Sequence, residues 1–162
     1  MKLLKHINLS ILLITLFACT TDKKYQYDVN PVTVSQQGGD KTNRKSTTEF
    51  ISIAYSDLFG TYIPQSKLIN LSIAYSSFGD LKVIEERIIK NFLNDSNAVV
   101  PSLPSVNGDT SLFIINSYKK FYNREPNEFE KHYWKELIHI NVSATPATIY
   151  YAMMTSDEYR FY

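Results

Sequence analysis

The sequence predicts an all-α protein of about six helices, arranged as two diverged three-helix repeats. Apolar residues recur at helical spacing after residue 46, and helix-capping residues and prolines separate these stretches. The two halves of this region also resemble each other at an offset of 63 residues, from Phe50 to Phe113. Glycine is scarce at five residues, while Tyr and Phe number 12 and nine, which is typical of a folded domain.

The first repeat is predicted over residues 47–95. Ser46 and Glu49 have the spacing of a capping box, which predicts the start of a helix. Pro64 is suited to the first turn of the second helix, because proline lacks the amide hydrogen that such a position leaves unpaired. Asp80 is expected to cap the third helix.

The second repeat is predicted over residues 109–162, after a loop over 96–108 that contains two prolines and a glycine. Its helices are expected to begin at Asp109, Pro126 and Thr145, with a last turn from Ser156. A three-helix unit of this kind buries its apolar stripes only by stacking on another. The alternative is that amphipathic helices resemble one another by chance.

A motif runs through the second repeat between Tyr118 and Tyr159. It consists of Arg124 and Pro126 in a turn, the pair Tyr133 and Trp134, and a terminal Ser156 and Glu158. This pattern resembles a helical domain of unknown function that recurs in secreted bacterial proteins and is related to the phycobilisome-linker fold. The resemblance implies a helical structure and no activity. Asn123 stands where that family more often has glycine.

Residues 1–18 are predicted to be a cleaved signal peptide. Two lysines precede an apolar run that ends at Ala18, and this run is shorter than the roughly 20 residues that span a bilayer. The segment ends Leu16-Phe17-Ala18-Cys19 and resembles the lipobox of bacterial lipoproteins. That resemblance implies transfer of a diacylglyceryl group to the Cys19 sulfur and cleavage after Ala18. The alternative is an ordinary signal peptide followed by a chance cysteine.

Acylated Cys19 would hold the protein on a membrane through lipid, and the chain as a whole resembles small lipoproteins of the Bacteroidetes group. Cys19 is the only cysteine, so no intrachain disulfide is expected. Thr20 and Thr21 come after it in place of an aspartate, which favours the outer membrane and leaves the leaflet open. Residues 19–46 are polar and lack helical periodicity, and we expect a flexible stalk there.

The charge balance argues against a nucleic-acid partner. Removal of two lysines with residues 1–18 leaves 15 of the 17 basic residues, against 16 acidic residues. Nucleic-acid binding needs a basic face, which a nearly neutral chain is not expected to provide. Binding to anionic lipid through charge is disfavoured for the same reason.

Glu128, His132 and Glu136 recur every four residues, and His139 lies three residues later. Such a stripe is able to bind metal, but a di-iron site needs further carboxylates and a second motif from other helices. We therefore predict a solvated helix face, no metal and no cofactor. The two histidines remain candidate bases, but no nucleophile motif accompanies them, and the chain is not expected to be an enzyme.

Tyrosine and tryptophan favour interfaces because they combine apolar area with a polar group. Tyr122, Tyr133 and Trp134 are expected in the core. Arg124 is expected either to fix the turn or to pair with an acid, for which Glu158 is the candidate. The expected partner surface consists of Tyr150, Tyr151, Tyr159 and Tyr162.

These observations predict a lipid-anchored, non-enzymatic helical module that docks onto another protein of the cell envelope, such as an accessory of secretion or gliding machinery. Two alternatives stay open. One is an envelope enzyme or small-ligand-binding protein whose site the sequence does not reveal, and the other is a structural spacer.

Overall fold

The computed structural model describes residues 41–161, and this part of the chain is all-helical, as predicted. One isolated antiparallel bridge, between Arg44 and Phe161, is the β pairing found among these residues. The helices are α1 (Thr47–Phe59), α2 (Gln65–Ser76), α3 (Leu81–Leu93), α4 (Leu103–Gly108), α5 (Thr110–Tyr122), α6 (Glu128–Ile140), α7 (Pro146–Met154) and α8 (Asp157–Arg160). None of the helices described is long and apolar enough to cross a membrane.

Polar side chains cap most of these helices, because the first amide hydrogens of a helix have no partner within it. The predicted caps are present: Ser46, Asp80, Asp109, Thr145 and Ser156 each accept a hydrogen bond from a backbone amide of the following turn. The prediction that Pro126 opens α6 is wrong. Asn127 is the cap, since its Oδ1 accepts from the Glu130 amide at 2.8 Å, and Pro126 is buried in the preceding turn.

The helix boundaries match the repeat that the sequence predicts. Helices α1 and α5 each have 13 residues and begin 63 positions apart, and α2 and α6 also begin 63 positions apart. The residue that ends α1 is Gly60 and the one that ends α5 is Asn123, and both have left-handed backbone conformations, with φ of 65° and 53°. The first helices of the two halves therefore have the same length and the same left-handed ending, and the second helices begin at equivalent positions.

The two halves form one hydrophobic core. Helices α1, α2 and α3 pack on one another, α5 packs on α6 and α7, and α3 packs against α7 across the boundary between the halves. Fully buried side chains come from both halves and include Phe50, Ile51, Leu58, Ile88, Ile89, Ile114, Met153, Met154 and Tyr159. These side chains belong to one continuous cluster, so neither half is a separate core. Each of them contributes about 1.5–3 kcal/mol on burial.

The short helix α8 connects the halves through Tyr159. The Tyr159 hydroxyl donates to Asp57 Oδ2 at 2.7 Å, and its ring lies edge-on against Phe50 and Phe121 with centroids 6.0 Å apart in each case. Burial raises the pKa of Tyr159 well above its ordinary value and also raises the pKa of Asp57. The hydroxyl therefore stays protonated and able to donate.

Arg160 continues this connection into the first half. Its guanidinium forms an ion pair with Glu85, and its Nη2 donates to the Tyr75 hydroxyl at 2.6 Å. Tyr75 in turn donates to Glu85 Oε1 at 2.5 Å. All three side chains are buried, so the C-terminal residues are fixed by a polar cluster inside the protein.

The predicted stalk over 19–46 is too long at its C-terminal end. Lys45 is buried, its amide donates to the Arg160 carbonyl at 3.0 Å, and its Nζ donates to the Tyr159 carbonyl. Burial lowers the pKa of Lys45 to about 8. Residues 41–45 therefore belong to the folded domain.

The predicted loop over 96–108 is also partly wrong, since Leu103–Gly108 form α4 and Val106 is buried.

Candidate functional site

Several predicted site residues lie outside the part of the chain that the structure describes. They are the lipobox residues Leu16, Phe17 and Ala18, the lipidation residue Cys19, and Tyr162 of the expected partner surface.

The prediction that the C-terminal tyrosines form a partner surface is wrong for Tyr150 and Tyr159. Tyr150 is 5% exposed and lies between Phe113 and Phe121, with ring centroids 5.9 and 4.7 Å away. Tyr159 is fully buried. Tyr151 is half-buried and packs against the core. The reason is that α7 packs on both α5 and α3, and that Tyr159 on α8 is enclosed by Phe50 and Phe121.

Arg124 joins the turn before α6 to α8, and its predicted pairing with Glu158 is present. Its Nε and Nη2 donate to Glu158 at 2.6 and 2.8 Å. Its Nη1 and Nη2 also donate to Glu130 at 2.8 and 2.6 Å. Burial alone would raise the pKa of Glu130, but the hydrogen bonds from Arg124 and from the Asn127 amide, together with the positive charge of Arg124, outweigh this effect and lower the pKa. Two carboxylates hold one guanidinium, and this arrangement fixes the N-terminal end of α6.

The inner side of α6 is fixed by a second contact, in which Trp134 Nε1 donates to the Tyr118 hydroxyl at 3.0 Å. Burial raises the pKa of Tyr118 to about 12. Tyr122 is buried as predicted, and its hydroxyl lies 2.9 Å from Ser156 Oγ. The motif residues Arg124, Trp134, Ser156 and Glu158 therefore lie in one region of the fold, where α5, α6 and α8 meet.

The Tyr133 ring packs edge-on against Trp134 with centroids 5.7 Å apart, but the prediction that Tyr133 is a core residue is wrong because it is 53% exposed. Phe129 and Ile140 on the same helix are 76% and 71% exposed, and Glu136 between them is also exposed. At about 100° per residue these four positions fall within roughly 60° of one another. We call them the α6 stripe: Phe129, Tyr133, Glu136 and Ile140.

Helix α2 presents a second exposed face, which carries no charge. Every exposed residue of this helix is uncharged, and we call this set the α2 face: Gln65, Ser66, Ile69, Asn70, Ile73 and Ser76. Ile69 and Ile73 are 49% and 61% exposed and lie one turn apart. This face was not predicted from the sequence, although the composition of α2 indicates it, because the helix contains a single charged residue.

That charged residue, Lys67, is directed away from the α2 face. Its Nζ lies 5.0 Å from the centroid of the Tyr55 ring and 5.6 Å from the centroids of Phe59 and Phe92. A cation over aromatic faces is stabilised by the ring quadrupoles. The one positive charge of α2 is therefore held by rings of α1 and α3, and the outer side of the helix stays neutral.

Glu136 and His139, two of the four residues in the predicted stripe of carboxylates and histidines, line an open groove of about 540 Å³ at the C-terminal end of α6. Its polar lining includes Asn107, Thr110, Lys135, Glu136 and His139. Within residues 41–161, no group of three or more His, Cys, Asp or Glu side chains is placed to hold a metal ion. Glu136 and His139 lie one turn apart in this groove without a third metal-binding group.

Comparisons with protein-family models, with curated proteins and with solved structures found no match to this chain.

Proposed function

We propose that the chain is a lipoprotein of the bacterial outer membrane, cut before Cys19 and acylated there, whose helical domain docks another envelope protein without catalysing a reaction. The docking surface is the α2 face. Secretion or gliding machinery is the proposed setting. The leaflet to which the lipid attaches is left open.

The observation that carries this proposal is the absence of charge from the exposed side of α2. The buried centres of protein interfaces are depleted of charged residues, whereas ordinary surface helices carry them. Ile69 and Ile73 form an apolar ridge on this neutral side, with exposed fractions of 49% and 61%. Burial of such a ridge removes apolar area from water without desolvating a charged group.

The chemistry of the α2 face also defines its partner. A charged side chain facing it would be buried without a counter-ion, which costs free energy. The expected partner segment is therefore an amphipathic helix of another envelope protein, which presents an apolar, uncharged side to Ile69 and Ile73. Anionic lipid is a poorer partner because this face offers no cation.

A second candidate function, binding of a small ligand, is supported by the groove at the end of α6. Its volume of about 540 Å³ falls within the range of small-molecule sites. Such sites are mostly apolar and enclose their ligand, whereas this groove is open and polar. Docking is therefore the preferred function.

A photo-crosslinking amino acid at Asn70 in the full-length chain, produced in its own cells, tests docking. We expect one adduct of defined mass that contains an envelope protein. Ile73→Asp in the same chain is expected to reduce this adduct at least five-fold, because it places a charge in the interface. The same crosslinker at exposed Lys90 on α3 is the control and should give none. An Asn70 adduct that Ile73→Asp leaves unchanged would overturn the proposal.

The lipid anchor has a separate test. Cys19→Ala is expected to abolish labelling of the protein by palmitate and to leave residues 1–18 attached. Unchanged labelling of the substituted chain would refute the anchor and leave the docking experiment unaffected.

A further inference from the structure

The α6 stripe has the spacing of a helix-pairing seam. Its residues are Phe129, Tyr133, Glu136 and Ile140, separated by four, three and four positions. This alternation keeps side chains on one line along a helix and is the spacing by which two helices pack together. The stripe is about 16 Å long at 1.5 Å per residue.

The order of side chains in the stripe is self-complementary in one orientation. If two copies of α6 lie antiparallel about a two-fold axis at the centre of the stripe, Phe129 faces Ile140 and Tyr133 faces Glu136 at both ends. The Tyr133 hydroxyl is then a donor for the carboxylate of Glu136, the one charge in the stripe. A parallel pair would instead place Glu136 against Glu136, which is repulsive.

We propose that the α6 stripe binds a second copy of this chain, through an antiparallel and isologous pairing of the two α6 helices. The occupant is a copy of the same chain because its own side-chain order supplies the apolar contact for Phe129 and the hydrogen-bond donor for Glu136. This pairing uses a different helix from the α2 face, so it adds to docking and does not compete with it.

The structure presents the stripe on a helix whose inner side is already fixed. Arg124 holds Glu130 at 2.6 Å, the Asn127 cap is closed by Glu130, and Trp134 donates to Tyr118. Binding to such a helix orders few additional groups, and this lowers the entropic cost of association. The helix that carries Phe129 and Tyr133 is therefore already in place before a partner binds.

The pairing is expected to be weak in dilute solution and stronger on a membrane. One pair of helices about 16 Å long buries less than the roughly 800 Å² per partner of a standard interface. Two copies anchored in one leaflet have a raised effective concentration, which favours association without new contacts. This dependence on the membrane rests on the proposed lipid anchor, whereas the pairing geometry does not.

A photo-crosslinking amino acid at His132, beside the stripe, tests the pairing in the full-length chain in cells. We expect an adduct of twice the chain mass, and two differently tagged copies should occur in the same adduct. Phe129→Glu and Ile140→Lys are each expected to reduce the adduct at least five-fold. The double variant should restore it, because the introduced charges are opposite and face each other across the two-fold axis.

Lys135→Glu, on the same helix but outside the stripe, is the matched control and should leave the adduct unchanged. Three results would overturn the pairing: no adduct of twice the mass, an adduct with a different protein, or a double variant no better than the single ones. The Asn70 adduct of the α2 face should be unaffected by Phe129→Glu, so failure of the pairing is distinguishable from failure of docking.

Discussion

The turn after α1 and the turn after α5 have the same backbone geometry, but different side chains stabilise them. Gly60 and Asn123, 63 positions apart, both adopt left-handed conformations. In the first half the next residue is Thr61, which is exposed, whereas in the second half it is Arg124, which holds Glu130 and Glu158. One turn depends on the backbone freedom of glycine, and the other depends on a network of ion pairs.

The two halves also use different cations to cover an equivalent tyrosine ring. Tyr55 and Tyr118 are equivalent at the offset of 63, and each ring is covered by a cation at about the same distance. Lys67 Nζ lies 5.0 Å from the Tyr55 centroid, and the guanidinium carbon of Arg124 lies 4.9 Å from the Tyr118 centroid. The two cations come from different positions of the repeat, because the position equivalent to Lys67 is occupied by Glu130. Both halves thus keep a cation over the equivalent tyrosine ring, but a different position of the repeat supplies it.

The halves also differ in the segments that come after their third helices. Helix α8 belongs to the second half and carries Tyr159 and Arg160, which contact Asp57 and Glu85 of the first half. The residues after α3 include α4 and end with Asp109, the cap of α5. The second half therefore completes the core of the first. Substitutions at the contacts between the halves are expected to lower the free energy of unfolding the most.

The largest effect is expected at this junction. Arg160→Ala leaves Glu85 buried without its cation, and loss of one partner of a buried pair costs about 3–5 kcal/mol of unfolding free energy. Chemical denaturation of the purified protein measures this difference. The double variant Arg160→Met, Glu85→Met is the control and should be far less costly, because it leaves no unpaired buried charge. A loss below about 1 kcal/mol in Arg160→Ala would contradict the proposed role of the junction.

A smaller effect is expected at the turn of the second half. Arg124 and Glu130 are each 21% exposed and Glu158 is 31% exposed, so solvent screens their interaction in part. Arg124→Ala should cost about 2 kcal/mol, whereas Lys67→Ala at the ring contact of the first half should cost about 1 kcal/mol or less. Thermal and chemical unfolding of the two variants compare them directly.

The control for that comparison is the exposed ion pair of Lys119 with Glu125, whose side chains are 55% and 64% exposed. Lys119→Ala should change stability by less than about 0.5 kcal/mol. Equal losses in Arg124→Ala and Lys119→Ala would show that the network at the turn does not hold α6 in place.

The sequence predicts those features that depend on local chemistry. The caps at Ser46, Asp80 and Asp109 need only residues within one turn, and the offset of 63 comes from aligned apolar positions. Lys45 is buried against Tyr159 and Arg160, and Arg160 is buried against Tyr75 and Glu85. These partners are far away in the chain, so no local pattern indicates the burial.

The predicted site residues also depend on tertiary contacts that a local pattern does not indicate. The sequence prediction places Tyr150 on the surface, although residues 149–154 are apolar on every side of the helix, which is typical of a buried helix. It places Tyr133 in the core because this residue is adjacent to Trp134. Neighbours on a helix diverge by about 100°, and only the tertiary contact of Trp134 with Tyr118 decides which of the two faces inward.

A last set of substitutions tests whether the two turns are equivalent. No neighbouring atom lies within 4 Å of the position that a Cβ would take at Gly60, so a side chain there meets only the strain of its positive φ. Gly60→Ala should therefore cost about 1–2 kcal/mol, whereas Gly60→Asn should cost less, because asparagine tolerates the left-handed region. Asn123→Gly should be close to neutral, since it replaces a tolerated residue with the preferred one. Unfolding midpoints of the three variants give the order. If Gly60→Asn were as costly as Gly60→Ala, asparagine would not substitute for glycine at this turn, and the shared geometry of the two halves would not extend to interchangeable chemistry.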